Sequence, residues 1–308
     1  MDRQTILLTG ATGFVGRALR PVLAAAGWRV RCLTRDQAAA RRRWPAADWV
    51  EGDLGDEGAC ARALEGCRAA VYLVHSMGEG AGFHARELDT AGRFAAAAAA
   101  AGVERLVYLG GVAPSGGGSE HLRSRVEVGE TLRAGAVPTL ELRASMIVGH
   151  GSLSWLIVRD LAARLPVMVL PRWLRSRTEP VAIDDVVVAL LRALELPLPA
   201  SVVYDVPGPQ ILSGREILEE TARVLGLGRP RMLEVPLLTP RLSSLWVRLV
   251  TRARWSVARE VVVGLTADLL SADDRFWRLI GHERRRSFAD AAVAALRAER
   301  REAPVGGA

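Results

Sequence analysis

No lysine occurs anywhere in the 308 residues, so the 41 basic side chains are all arginine. That absence excludes Schiff-base chemistry and any lysine general acid. Cysteine is scarce: Cys32, Cys60 and Cys67 are odd in number, lie in the first quarter and lack metal-ligand spacing. They argue against a disulfide scaffold and a metal site, and read as buried thiols in a reducing, cytoplasmic compartment. Long apolar runs are missing too. Ala95–Ala101 and Leu165–Leu170 are among the longest, well short of the ~20 residues that cross a bilayer, so no transmembrane segment is expected. The start, Met-Asp-Arg-Gln followed by Ile6-Leu7-Leu8, does not read as a signal peptide.

What is present describes a globular chain. Half of the residues are apolar (50%), 24% are charged, and the mean hydropathy is +0.15. This composition and length bury a full core and exclude a disordered chain or a coiled coil. The net charge of +7 and the pI near 10.4 raise the question of a nucleic-acid partner. An arginine-only, alanine- and glycine-rich composition reads instead as compositional bias of the source genome. The runs Arg41–Arg43 and Arg284–Arg286 lack aromatic interleaving and read as solvated faces, so no nucleic acid is expected.

Thr5–Thr9 is a short apolar run ending in Gly10, followed by a glycine-rich turn, a helical pattern over Phe14–Ala26 and a second strand, Arg29–Thr34. The rhythm repeats, with strands predicted at Trp49–Glu51, Ala70–Val74, Arg105–Leu109 and Thr139–Leu142. Helices are predicted at Asp56–Leu64, Phe83–Ala101 and Glu120–Ala134. Strands alternating with helices of this length predict an α/β fold, a Rossmann-type doubly wound parallel sheet. We divide the chain into a core over residues 1–150 and a smaller, mostly helical C-terminal substrate lobe over 151–308. Segments 180–207 are candidates for returning to the core sheet.

The turn carries glycines at i, i+3 and i+6: Gly10, Ala11, Thr12, Gly13, Phe14, Val15, Gly16. Between a buried strand and a helix N-terminus, such a turn admits a pyrophosphate against free N–H groups. The end of the second strand chooses the cofactor. Nucleotide-binding units that take NAD usually place an acid there, whereas this chain has Thr34-Arg35-Asp36. Arg35 suits the 2′-phosphate of NADP, which makes NADP (NADPH) the expected cofactor and NAD the less favoured one. Asp36 serves either a ribose or a helix cap. Asp53 and Leu54, after the third strand, would border the adenine, or Asp53 would simply close a turn.

Taken together, Thr9–Gly16, Leu33–Asp36, Glu51–Leu54 and Pro180–Asp185 resemble the short-chain dehydrogenase/reductase superfamily. The likeness is to its extended and atypical, nucleoside-diphosphate-sugar epimerase-like, NAD(P)H-binding members. Tyr72–Gly78, Tyr108–Gly111 and His121–Arg125 resemble one atypical branch of reductases. The resemblance implies a catalytic Tyr, a Lys four residues later and a Ser after the fifth strand. This chain departs on all three: none of Tyr72, Tyr108 and Tyr204 has a basic residue at i+4, and Gly110 and Gly111 stand where the serine belongs. At the matching helix it offers His121 and Arg125, four apart on one helical face. Either these replace the Tyr–Lys pair, or catalysis by this helix is lost and Arg125 pairs with phosphate, ribose or Glu127. His75 and Ser76 follow the fourth strand directly, beyond Val74, where parallel sheets bind ligands. His84, Arg86, Arg143 and Ser145 are further candidates for the same mouth; Ser115 and Ser119 lie in a glycine-rich loop.

Leu237–Leu265 interleaves Trp246 and Trp255 with leucines and arginines, an amphipathic pattern suited to internal packing, to a lid, to a possible homodimer contact or to an anionic membrane surface. The expected activity is NADP-dependent hydride transfer with a small, apolar carbonyl, imine or quinone-like substrate. A non-catalytic NADPH-binding sensor or assembly protein, and a sugar-nucleotide epimerase or dehydratase, are the alternatives.

Overall fold

The computed structural model describes residues 4–74, 83–114, 120–164, 167–171, 175–228, 231–235 and 267–302. The first part runs β1 (Thr5–Leu8), α1 (Phe14–Ala25), β2 (Arg29–Thr34), α2 (Gln37–Arg43), β3 (Asp48–Glu51), α3 (Glu57–Leu64) and β4 (Cys67–Tyr72). It continues with α4 (Phe83–Ala100), β5 (Arg105–Gly111), α5 (Glu120–Ala134) and β6 (Thr139–Ala144). Then come β7 (Ile147–Val148), α6 (Leu153–Arg164), β8 (Val167–Pro171), β9 (Arg177–Thr178), β10 (Val181–Ala182), α7 (Ile183–Glu195) and β11 (Val202–Asp205). The chain closes with β12 (Leu212–Ser213), α8 (Gly214–Val224), β13 (Arg231–Val235), α9 (Arg275–Leu279) and α10 (Phe288–Glu302).

Seven strands form one sheet in the order β11-β6-β5-β4-β1-β2-β3, with every neighbour parallel. This is the Rossmann-type doubly wound sheet. From β1 the chain winds outward to β3, then returns to lay β4 against the other side of β1. The reversal leaves a crevice at the carboxyl ends of β1 and β4. Short pairs lie outside the sheet: β7 with β10, β9 with β12 and β8 with β13.

Each face of the sheet is covered because its strands are apolar on both sides. Ile6 and Leu8 of β1 pack with Leu19 and Leu23 of α1 and Val186 and Leu190 of α7 on one face. Leu7 points the other way, into a core shared with Leu64, Phe94, Leu132 and Tyr108. Burying each such aliphatic side chain contributes about 1.5–3 kcal/mol. A third cluster, Trp155, Ile217, Leu218, Phe288 and Ala292, joins α6, α8 and α10.

The chain after β11 is tied back to the sheet by polar bonds. Asp185, 3% exposed, accepts from His282 Nε2 at 2.7 Å and from the Arg286 backbone N–H at 2.9 Å. Trp277 Nε1 donates to the Pro207 carbonyl at 2.9 Å. Arg285 lies over the Trp277 ring at 5.9 Å and Arg286 pairs with Asp184 at 3.1 Å, so the Arg284–Arg286 run is not simply a solvated face. The three cysteines are buried and free. Burial pushes the Cys60 thiol up to about 11 and the Cys32 thiol up to about 12, which leaves both inert.

Candidate cofactor and active site

The site begins where β1 meets β4. Thr9, fully buried, donates from Oγ1 to the Val71 carbonyl at 3.2 Å and accepts from the Leu73 N–H at 3.0 Å. That single hydroxyl fixes the carboxyl ends of the two central strands together. Gly10 then turns the chain at φ +62°, where a Cβ would sit 3.0 Å from the Leu73 carbonyl oxygen. Gly13 donates its N–H to the Gly10 carbonyl at 2.9 Å and opens α1 in an extended conformation. At Gly16 a Cβ would overlap the Gly10 carbonyl oxygen and lie 2.7 Å from Ala11 Cα. Only glycine lets α1 start this close to the strand.

The start of α1 has no side-chain cap and no acid in its first turn. By contrast α2, α3 and α8 are capped by Asp36, Asp56 and Ser213. The uncapped N–H groups and the positive end of the helix dipole therefore face the crevice, with exposed Thr12 at its lip. The turn thus fits a pyrophosphate on geometric grounds.

The neighbouring strand ends supply the rest of the rim. Thr34 closes β2, and its carbonyl accepts from the Gly52 N–H at 2.9 Å, holding β3 level with it. Arg35 is exposed and forms no ion pair among the described residues. Asp36 is committed elsewhere: its Oδ1 accepts from the Ala39 N–H at 2.8 Å as the cap of α2. Asp53 is exposed and uses Oδ1 to accept from the Gly55 N–H at 2.8 Å, the turn-closing role. Leu54 is buried behind it, and Val74 is half-buried just past β4.

On the other side of the crevice, Arg125 reaches from α5 to the end of β5. Its Nη2 donates to the Gly110 carbonyl at 3.0 Å, and its Nε is buried without a partner. Gly111 admits this approach, since a Cβ there would lie 3.4 Å from Arg125 Nε. His121 sits one turn earlier, half-buried. Burial, and then the charge of Arg125, bring its imidazole down to about 4. It is therefore neutral at pH 7, a hydrogen-bonding group and not a store of acid.

Several expectations need correction. Arg125 does not pair with Glu127: His84 Nε2 takes Glu127 Oε2 at 2.6 Å, bridging α4 and α5. Arg143 is held by Glu141 at 2.7 Å, and Ser145 Oγ donates to the Glu179 carbonyl at 2.9 Å, so both serve structure. Tyr72 and Tyr108 are buried core residues whose hydroxyls burial pushes up, and Tyr108 donates to the Arg125 carbonyl at 2.8 Å. His75, Ser76, Ser115, Ser119 and the segment 237–265 lie outside the described residues.

Two polar features went unread. Glu87 and Ser124, both buried, hydrogen bond to each other between α4 and α5 beneath the tyrosines. Glu141, fully buried in β6, lies between Arg133 Nε at 2.8 Å and Arg143 Nε at 2.7 Å. The signal for Glu87 was available: it begins the stripe Glu87, Ala91, Phe94, Ala98 that α4 buries.

Comparison with known proteins agrees with this geometry. A family model described as NAD(P)H-binding matches residues 10–162. A ceramide reductase from Caulobacter vibrioides is 30% identical over 238 residues, 76% of this chain and 74% of that protein. A (4-alkanoyl-5-oxo-2,5-dihydrofuran-3-yl)methyl phosphate reductase from Streptomyces griseus is 34% identical over 239 residues, 74% and 76% of the two chains. The structure of a Citrobacter sp. triphenylmethane reductase superposes with a TM-score of 0.76 at 14% identity, covering 95% of this chain and 99% of that one, a likeness of fold alone. The chain belongs to the atypical short-chain dehydrogenase/reductases, the epimerase-like group with an NAD(P)H-binding domain. Within that group it is a nicotinamide-dependent oxidoreductase.

Proposed function

We propose that this protein is an NADP(H)-dependent reductase of a carbonyl, imine or quinone-like group carried on an apolar, chain-like substrate. The observation that carries the cofactor choice is at the end of β2. Arg35 is exposed and unpaired among the described residues, while the neighbouring acid that could hold a ribose is spent capping α2. Two relatives support the substrate class, since their names specify ceramide and an alkanoyl-bearing lactone phosphate. In this reading the chain after residue 150 forms the substrate side of the cleft, the protein acts in the cytoplasm, and light scattering would register a homodimer.

When bound, the cofactor supplies or receives a hydride. The chain's own residues do the remaining work. Gly10–Gly16 and the bare start of α1 hold the pyrophosphate; Arg35 holds the 2′-phosphate; Asp53, Leu54 and Val74 line the adenine side. Arg125, anchored to the Gly110 carbonyl, supplies the positive charge beside the nicotinamide ribose, the duty a lysine has in the superfamily. Its charge also stabilises an oxyanion developing on the substrate carbonyl. His121 donates a hydrogen bond to that oxygen as a neutral imidazole, and water completes the protonation.

Calorimetric titration with NADPH and NADH tests the cofactor assignment. A charge-assisted contact contributes about 1.5–3 kcal/mol, so NADPH binds roughly ten- to a hundredfold tighter and Arg35→Ala removes the gap. Equal affinities in the parent protein would sink it. NADPH oxidation with long-chain against short-chain ketones then tests the substrate class. A second reading, cofactor binding without turnover, is favoured by one observation: among the described residues neither hydroxyl that the superfamily resemblance implies is in place, Tyr72 and Tyr108 being buried in the core and glycine standing at the serine position. Tight NADPH binding with no oxidation across carbonyl, imine and quinone probes would select it.

A further inference from the structure

We propose a second ligand site, separate from the dinucleotide crevice, that binds an anionic amphiphile: one acidic head on an apolar chain. The site is a cavity of about 520 Å³ between α1, the end of α2, the β10–α7 junction and α10. The proposal does not depend on the substrate or cofactor assigned above.

The cavity wall combines apolar side chains with a cluster of charged ones that includes two arginines. Phe14, Ala18, Trp44, Val148 and Ile183 line one side. On α10 the facing residues are Ala291, Ala294, Ala295 and Ala298, and these small side chains leave the space that larger ones would fill. Its size falls in the range of small-molecule sites. Of the turn residues that form the phosphate cradle, Phe14 alone takes part; Gly10, Thr12, Arg35, Asp53, Val74 and Gly110 do not line it.

Two guanidinium groups define the head-group end. Arg17 and Arg43 line the cavity, and neither guanidinium forms an ion pair or hydrogen bond among the described residues. Arg17 Nε is buried with no hydrogen-bond partner among the described residues; His150 Nδ1, on the same wall, lies 4.0 Å from Glu299 Oε1. A buried donor is ordinarily satisfied. Arg17 is held in place by its surroundings: it rests over Gly151, at φ +84°, where a Cβ would come within 2.6 Å of its Nη2. Arg43 is stacked 4.9 Å from the Trp44 ring.

Two carboxylates, Asp184 and Glu302, share the wall, and each has a partner of its own. Asp184 is paired with Arg286 at 3.1 Å, and Glu302 with His150 Nε2 at 3.0 Å. Glu302 also lines the cavity and feels both arginines through space, with its side chain 61% exposed to solvent. The half-buried Arg17 and the exposed, Trp44-stacked Arg43 beside an alanine-lined trough fit a carboxylate or phosphate monoester with an alkyl tail. They do not fit a neutral alkane or a cation.

The test is calorimetric titration of the full chain with decanoate and with decyl phosphate, below their micelle concentrations, with and without saturating NADPH. Decanol serves as the uncharged control. We expect both acids to bind with or without NADPH, and decanol to bind at least tenfold more weakly. Arg17→Gln and Arg43→Gln each weaken the acids tenfold or more. Ala298→Leu, which fills the trough and leaves both arginines, weakens them as well while leaving the NADPH isotherm unchanged. Equal binding of decanol, indifference to all three variants, or competition between decanoate and NADPH would each overturn the site.

Discussion

Replacing Gly129 by alanine in the middle of α5 is expected to destabilise the protein, although the same change in most helices does the opposite. Alanine is preferred over glycine by about 1 kcal/mol in a helix interior. Here the added Cβ would lie 2.5 Å from Glu141 Oε2 and 2.6 Å from its Cδ. That carboxylate cannot withdraw: it is fully buried, and its two oxygens are taken by Arg133 Nε and Arg143 Nε. Overpacking costs about 1–3 kcal/mol, and separating a buried charge from its partners about 3–5 kcal/mol. With both costs and the propensity gain of about 1 kcal/mol, the net expected loss is about 3–7 kcal/mol. Urea unfolding at constant slope measures it as a lower midpoint. The decisive comparison is made in a Glu141→Ala background, where the obstacle is gone and Gly129→Ala should gain up to about 1 kcal/mol. The reasoning is refuted if Gly129→Ala is neutral or stabilising in the parent protein, or if its effect has the same sign in both backgrounds.

Restoring the superfamily's serine by Gly110→Ser should not create activity. A Cβ at Gly110 meets Glu141 Oε1 at 2.9 Å and Tyr108 Cε1 at 3.0 Å, so we expect a stability loss of about 1–3 kcal/mol and no rise in NADPH turnover. Gly208→Ala should give little soluble protein, because a Cβ there would overlap the Pro180 carbonyl oxygen and lie 3.2 Å from the Val181 nitrogen; ordinary soluble yield and midpoint would contradict this. His121 should make stability fall with acid. Its unfolded value of 6.5 exceeds the folded value of about 4, so below pH 6.5 the unfolded chain gains a proton that the folded one refuses. The loss grows down to about pH 4 and then stops, and His121→Gln should flatten it in that window; matching pH profiles of the two proteins would refute the assignment.

The sheet was legible because its signals are local. Each strand from β1 to β6 is a short apolar run closed by a turn, and each of α1, α3, α4 and α5 has the period of a helix with one buried face. α2 was missed because Gln37–Arg43 buries little beyond Ala40 and reads as a charge run; its start is fixed by the Asp36 cap. α6 and α10 were missed for a different reason. Their apolar residues, Trp155 and Phe288 with the alanines between, face each other and α8 instead of the sheet, so they follow no strand rhythm. β11 joins the sheet beside β6 from more than fifty residues downstream, a pairing set by tertiary contact.

The site divided along the same line. The cradle residues Gly10, Gly13 and Gly16 were readable because their constraint is the backbone's own: a positive φ at the first, and a helix start pressed against its strand at the last. The catalytic side was not, because what decides it is a buried charge three strands away from the turn. Glu141 occupies the space beside Gly110 and Gly129, and no residue type at those positions announces a carboxylate arriving from β6. Gly110 therefore looks in the sequence like a serine that was lost. In the structure it is one wall of a Glu141 pocket, and Arg125 uses its buried main-chain carbonyl as an anchor. Glycine at this position thus answers to the carboxylate packed beside it, while the main-chain carbonyl that anchors Arg125 would be there with any residue.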